Sequence, residues 1–98
     1  MEYFEPLEKG FTIYSKPGCS NCTKVKRLLC EKEICFLDVE CGDYLLENKE
    51  AFLSFIKERA NKEYRIFPMV FKDGKFIGGF TETQQLIDKE SCFDNIVF

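Results

Sequence analysis

The chain has 98 residues, and we expect residues 1–98 to form a single domain with its own hydrophobic core. Its composition, 45% hydrophobic and 32% charged residues, is that of a globular protein. A formal net charge of −3 argues against nucleic acid as the main partner. Because the chain contains no histidine, Ser-His-Asp and Cys-His catalysis and imidazole-dependent zinc sites are excluded.

The six cysteines are the feature that composition leaves to be explained. No apolar run is long enough to span a bilayer, and the N-terminal residues lack the basic end of a signal peptide. We therefore expect a cytoplasmic protein without a membrane partner. A disulfide scaffold needs an oxidising compartment, so one reactive pair is favoured. The cysteines are Cys19, Cys22, Cys30, Cys35, Cys41 and Cys92.

The first half of the chain predicts two strands that alternate with two helices. Residues 11–15 are β-branched and aromatic, which predicts a strand, and the Lys-Pro-Gly sequence at 16–18 ends it. Apolar residues at helical spacing predict a helix that begins at residue 19 or 20 and ends near 32. Residues 35–40 alternate and predict a second strand, in which Cys35 would face the core. A second helix is predicted at about 43–60, where Asn61 suits its C-terminal end.

The second half predicts a hairpin followed by a helix. Strands are predicted at 68–71 and 75–78, because Asp73-Gly74 between them is a strong two-residue turn signal. Thr81–Gln84 has the pattern of a capping box, which predicts a helix from 81 to about 89. The whole order predicts an α/β fold with the thioredoxin-like layout, a four-stranded mixed sheet flanked by three or more helices.

Cys19 and Cys22 are separated by two residues at the predicted strand-to-helix junction, which is typical of a redox-active pair. At a helix N-terminus, unpaired N–H groups and the helix dipole favour the thiolate of the first cysteine. The second cysteine would lie one turn further along, where it can close a disulfide. Residues 11–29 contain no acid and four basic residues, which add to this field: Lys16, Lys24, Lys26 and Arg27.

Three stretches of the sequence resemble motifs of the glutaredoxin family, in the same order. They are the active-site stretch at 14–22, a stretch at 65–71 in which we expect the bond before Pro68 to be cis, and a Gly-Gly turn within 76–82. The resemblance implies a monomeric dithiol enzyme with a Cys-Ser-Asn-Cys active site and Cys19 and Cys22 as its catalytic residues. Glutathione would be the reductant, and the substrates would be proteins that carry a disulfide or are glutathionylated.

The resemblance also implies a glutathione site. Lys16 would pair with the glycine carboxylate of glutathione, and the backbone of Phe67 would pair with its cysteinyl part. The helix N-terminus after Gly79 would bind the γ-glutamyl carboxylate, as helix N-termini bind anions. An acid at Glu82 would meet the amino group. The complete set of implied residues is Lys16, Asn21, Phe67, Pro68, Gly79, Phe80, Thr81 and Glu82.

Two other functions stay open at this point. Some glutaredoxins carry a [2Fe-2S] cluster that the first cysteine and glutathione ligate, and Ser20 in place of the common proline favours that behaviour. A thioredoxin-like reductant served by a flavoenzyme reductase is the second alternative. The lack of tryptophan and the Gly78-Gly79 turn argue against it. For the thiol exchange itself we expect no metal.

Overall fold

The computed structural model describes the backbone of residues 3–95 and the side chains of residues 3–89. Four strands and three helices occur in this part of the chain: β1 (Phe11–Ser15), α1 (Ser20–Glu31), β2 (Phe36–Glu40), α2 (Gly42–Ala60), β3 (Met69–Lys72), β4 (Lys75–Gly78) and α3 (Phe80–Asn95). None of the helices described is long and apolar enough to cross a membrane.

The four strands form one mixed sheet in the order β2-β1-β3-β4. Strand β1 is parallel to β2 and antiparallel to β3, so Tyr14 lies between Val39 on one side and Met69 on the other. Strand β4 returns antiparallel to β3. All five residues of β1 are buried, because the strand has a neighbour at each edge and helices cover both faces. The predicted four-stranded mixed sheet with three helices is confirmed.

Two hydrophobic clusters lie on opposite faces of the sheet. Side chains alternate along β1, so Tyr14 belongs to one cluster while Phe11 and Ile13 belong to the other. The first cluster joins the sheet to α2 and is rich in aromatic rings. The second joins the sheet to α1 and α3. Buried members of the first cluster include Phe52, Phe55, Ile56, Phe67 and Phe71; the second contains Val25, Leu29, Val70 and Ile87.

The prediction that Cys35 faces the core is wrong, since its side chain is exposed and β2 begins one residue later. The cause is the turn after α1. Glu33 adopts a left-handed conformation with φ 58°, and the N–H of Ile34 donates to the carbonyl of Leu29 at 2.9 Å. In this Schellman arrangement it is Ile34 that packs beside Leu29 in the second cluster.

The predicted capping box at Thr81–Gln84 is also wrong in register. Helix α3 begins at Phe80, and Gly79 occupies the N-cap. The Glu82 carboxylate accepts the Gly79 N–H at 2.8 Å, which is the back-bonding half of a capping box that starts two residues earlier. The helix also extends to Asn95, beyond its predicted end near residue 89. The side chain of Cys92 lies outside the described residues.

Helix α2 contains a break that the sequence pattern does not predict. Asn48 has an extended conformation with φ −161° and ψ 86° inside the helix. Its side-chain oxygen accepts the N–H of Ala51 at 3.1 Å, so it caps the second helical segment. At the end of α2, Asn61 is left-handed with φ 61°, and its predicted role at this C-terminus is confirmed.

The left-handed conformation of Glu33 generates a stability prediction. A non-glycine residue in this conformation carries a steric cost that glycine lacks, so Glu33→Gly should stabilise the protein by about 0.5–1 kcal/mol. Thermal unfolding followed by circular dichroism measures the change. Asn61→Gly is the matched control, because asparagine tolerates the left-handed region and little gain is expected there. Equal gains at both positions would contradict the explanation.

Candidate active site

The site is built around Cys19, which is the N-cap of α1. Its sulfur accepts the backbone N–H of Cys22 at 3.1 Å, in the place where a serine or aspartate oxygen usually caps a helix. Gly18, with φ 71°, makes the turn that brings the chain from β1 into this cap. The sulfur therefore lies at the positive end of the helix dipole, in a position that favours the thiolate of reduced Cys19.

Cys22 forms a pair with Cys19 but in a different environment. The two sulfurs lie at disulfide-bonding distance, and the two Cα atoms are 5.2 Å apart. Cys22 is only 2% exposed, whereas Cys19 is partly exposed. A substrate can thus reach the first sulfur, while the second can attack only what Cys19 already holds.

A groove with a volume of about 470 Å³ runs beside the pair. Both cysteines line it, together with Lys16, Lys26 and Glu40. Lys26 makes an ion pair with Asp38 at 3.1 Å. No carboxylate among the described residues forms an ion pair with Lys16, so Lys16 supplies the unneutralised positive charge of the groove.

The strand β3 brings a second segment to the site. In the antiparallel register, Tyr14 at the end of β1 faces Met69 at the start of β3. The residues that follow Tyr14 therefore lie beside those that precede Met69. The Phe67-Pro68 bond is cis, as predicted, and both residues are buried. The ammonium of Lys16 lies 5.5 Å from the centre of the Phe67 ring.

The Gly78-Gly79 turn and the start of α3 lie against the cis-proline segment. Gly78 has φ +135°, and a Cβ added there would lie 2.8 Å from Cγ of Glu82. A Cβ on Gly79 would lie 3.0 Å from the hydroxyl of Tyr64 and 3.5 Å from the carbonyl of Pro68. The turn thus needs glycine for its own packing, and α3 begins against the cis-proline segment.

The residues implied by the resemblance do not all occupy equivalent places. Lys16 and Phe67 contact each other beside Cys19, and Phe80 and Thr81 form the first turn of α3. Asn21 is exposed on α1, and of the eight implied residues only Lys16 lines the groove. Glu82 already accepts the N–H of Gly79, so it acts as a helix cap in this structure.

Sequence reasoning missed Tyr64, whose hydroxyl approaches the Gly-Gly turn. Its ring packs edge-on against Phe76 with centroids 4.7 Å apart. Burial, followed by the charge of Glu82, raises the pKa of Tyr64 above its ordinary value. A single tyrosine next to the 65–71 stretch carries no pattern that would have identified it.

The remaining described cysteines differ from the active pair and from each other. Cys30 and Cys35 are exposed free thiols, and Cys41 is a buried one. Cys41 lies at the end of β2, where its N–H donates to the carbonyl of Ser15 at 2.8 Å. Burial, with a smaller contribution from nearby carboxylates, raises the pKa of the Cys41 thiol to about 12.

Comparison with known proteins gives the same assignment as the geometry. The glutaredoxin family model matches residues 11–77. Glutaredoxin 1 of Rickettsia bellii is 30% identical, over 87% of this chain and 83% of its own. The crystal structure of glutaredoxin 1 from Francisella tularensis, complexed with cacodylate, superposes with a TM-score of 0.71 at 28% identity and covers 81% of this chain and 92% of its own. The buckwheat glutaredoxin–glutathione complex has the same fold, with a TM-score of 0.66 at 23% identity, over 83% and 70% of the two chains.

A thioredoxin-like fold with a helix-capping cysteine and a buried partner one turn away defines a thiol–disulfide oxidoreductase. Within that class, the family model and the relatives both indicate a glutaredoxin. The chain belongs to the glutaredoxin family.

The Gly-Gly turn generates a second stability prediction. Gly78→Ala should cost about 2–4 kcal/mol, because the new Cβ would meet both a forbidden backbone conformation and the Glu82 side chain. Gly10→Ala is the matched control: Gly10 has φ +92° but nothing within 4 Å of an added Cβ. It should cost only about 1–2 kcal/mol. Urea denaturation measures both, and equal costs would show that the close approach to Glu82 is relieved easily.

The buried thiol generates a reactivity prediction. In the oxidised protein at pH 8.5, iodoacetamide should label Cys41 at least about 100-fold more slowly than Cys30 or Cys35, because the raised pKa leaves almost no thiolate and burial blocks access. Peptide mapping by mass spectrometry reports each cysteine separately. In urea, Cys41 should become as reactive as the other two. Rapid labelling of Cys41 in the folded protein would contradict its placement.

Proposed function

We propose that this glutaredoxin takes its reducing electrons from glutathione and reduces both protein disulfides and glutathione mixed disulfides. The observation that carries the proposal is the difference in exposure between Cys19 and Cys22. The sulfur of Cys19 is accessible and held by the Cys22 N–H, while Cys22 itself is buried. An accessible thiolate beside an unneutralised cation, Lys16, suits an anionic thiol such as glutathione.

On a glutathionylated protein, one thiolate is sufficient. The thiolate of Cys19 attacks the glutathione sulfur, a new S–S bond forms, and the protein leaves as a thiolate that takes up a proton. A second glutathione thiolate then attacks the glutathione sulfur held by Cys19. Glutathione disulfide leaves, and the Cys19 thiolate is restored. Overall, one free glutathione thiol is oxidised and one protein sulfur is reduced to a thiol, because the other sulfur of glutathione disulfide was already part of a disulfide in the substrate.

On a protein disulfide, the buried cysteine is needed as well. Cys19 attacks one sulfur of the substrate and forms a mixed disulfide, and the other substrate sulfur leaves as a thiolate. Cys22 then attacks Cys19, which releases the reduced protein and closes the Cys19–Cys22 bond. The pair is already at bonding distance without rearrangement of the helix. Two glutathione molecules reduce this bond and leave as glutathione disulfide.

Two regions of the site suit the two carboxylates of glutathione. Lys16 offers a positive charge at one end of the Cys19 groove. At the start of α3, which lies against the cis-proline segment, the first N–H groups have no partner within the helix, and a helix N-terminus favours an anion. Because Glu82 already caps Gly79, the N–H groups of Phe80 and Thr81 are the ones we assign to the γ-glutamyl carboxylate. The buckwheat relative of the same fold was solved as a glutathione complex.

We propose that the protein acts as a monomer in the reducing cytoplasm. The free thiols of Cys30 and Cys35 support this setting, because exposed thiols persist where disulfides are kept reduced.

Two substitutions test the proposed function. Cys19→Ser should abolish all exchange, since the accessible thiolate is lost. Cys22→Ser should keep turnover of a small glutathione mixed disulfide within about threefold of wild type, because that route needs only Cys19 and glutathione. The same variant should lose the reduction of a protein disulfide. A coupled assay with glutathione, glutathione reductase and NADPH measures both activities.

Cys35→Ser serves as the matched control, because this exposed thiol lies outside the site, and both activities should persist. A thioredoxin-like reductant would give a different result. In that case the wild-type enzyme would show no turnover with glutathione, and Cys22→Ser would be inactive with both substrates.

A further inference from the structure

We propose that the side chain of Phe67 is a positioning residue whose ring holds the ammonium of Lys16 beside Cys19 without neutralising its charge. The backbone of Phe67 belongs to the expected glutathione site, but the ring has no role there. In the structure the ammonium lies 5.5 Å from the ring centre, within the range of a cation–π interaction.

The sheet register brings the two residues together. Tyr14 faces Met69, and Lys16 and Phe67 each lie two residues beyond this pair, where their side chains meet. Lys16 directly follows β1, and Phe67 lies immediately before the cis-proline. The contact therefore joins the loop that carries Cys19 to the cis-proline segment.

The ring itself is firmly held. Phe67 is 8% exposed, and its ring stacks nearly parallel on that of Phe52, with an interplanar angle of 8° and centroids 6.2 Å apart. Phe52 is in turn fully buried and stacked on Tyr44. A long, exposed lysine side chain would otherwise sample many rotamers, and contact with a fixed surface reduces that freedom.

The choice of an aromatic partner has an electrostatic consequence. A carboxylate at this place would hold Lys16 equally well but would neutralise it and repel the Cys19 thiolate. The groove shows that outcome at Lys26, whose ammonium pairs with Asp38 at 3.1 Å. The ring attracts the ammonium through its quadrupole and adds no net charge. Lys16 thus stays available to a thiolate and to an anionic ligand.

The test begins with thiolate formation, which requires no glutathione. The alkylation rate of Cys19 in the reduced protein is measured against pH for wild type, Phe67→Leu, Lys16→Met and the double variant. At a pH below the midpoint, Phe67→Leu should slow alkylation by up to about two- to fivefold and move the midpoint upward. In the Lys16→Met background, Phe67→Leu should have no further effect. An equal effect in both backgrounds, or no effect in either, would overturn the proposal.

Two further variants separate the ring from general packing. Phe67→Tyr keeps an aromatic face, so the midpoint should stay at the wild-type value. Phe71→Leu removes a buried ring of the same cluster that packs against Tyr14 and Phe76, so it should lower the unfolding temperature without moving the midpoint. The other charged groups of the groove, Lys26 and Glu40, are unchanged in every variant. A midpoint that follows the unfolding temperature across the series would overturn the proposal.

A measurement on the wild-type protein keeps the proposal testable even if Phe67→Leu does not fold. The ε-methylene protons of Lys16 should show an upfield ring-current shift by NMR, with exposed Lys24 as the reference. Equal shifts at the two lysines would refute the contact between Lys16 and the Phe67 ring.

The effect on glutathione use rests on the proposed function and is measured separately. Phe67→Leu should raise the KM for glutathione about two- to fivefold, with a smaller change in kcat. Failure of the wild-type protein to turn over with glutathione would refute the proposed function, whereas the alkylation profiles would still decide the role of the ring. A KM unchanged in Phe67→Leu would refute the extension of that role to glutathione.

Discussion

The antiparallel register between β1 and β3 is the constraint on which the site depends. Strand β1 ends at Ser15 and delivers Cys19 to the start of α1, while β3 begins just after the cis-proline. With Tyr14 opposite Met69, these two ends meet at one edge of the sheet. A slip of one residue would exchange the two faces of a strand that is buried on both sides, so the large apolar side chains hold the register. The positions of the catalytic sulfur and of the wall beside it are therefore set by core packing.

Helix N-termini provide the anion-binding capacity of this edge. One is capped by the sulfur of Cys19, and another by Gly79 with the carboxylate of Glu82. Glu82 accepts the N–H of Gly79, just before α3, and the N–H groups of the first turn have no partner within the helix. At α1 the cap atom is itself the nucleophile. The oriented peptide groups of α1 supply a positive electrostatic field at its N-terminus. The Cys19 sulfur therefore does not need a charged residue in direct contact with it.

Features that depend on local sequence signals were predictable. Features that depend on long-range contacts, or on a backbone conformation that no residue type indicates, were not. The position of β1, the turn into α1 and the left-handed Asn61 follow from strand composition and from residues with strong conformational preferences. The orientation of Cys35 depends on a left-handed glutamate, which no pattern marks. The start of α3 was ambiguous because Glu82 satisfies a cap at Gly79, whereas the predicted box began at Thr81. The contact between the Cys19 loop and the cis-proline segment crosses about fifty residues and requires the sheet register.

The hydrogen bond between the Cys22 N–H and the Cys19 sulfur links the redox state to the helix itself. A thiolate is a far stronger acceptor than a sulfur in a disulfide, so reduction tightens the first turn of α1 and oxidation loosens it. The coupling is reciprocal, because the free energy by which the helix favours the thiolate is the free energy by which the thiolate favours the helix. Each tenfold increase that the helix produces in the acid dissociation constant of the Cys19 thiol corresponds to about 1.4 kcal/mol of added resistance to fraying. The hydrogen-exchange rate of the Cys22 amide would therefore report the oxidation state. Exchange would be slow in the reduced enzyme and faster once the disulfide closes.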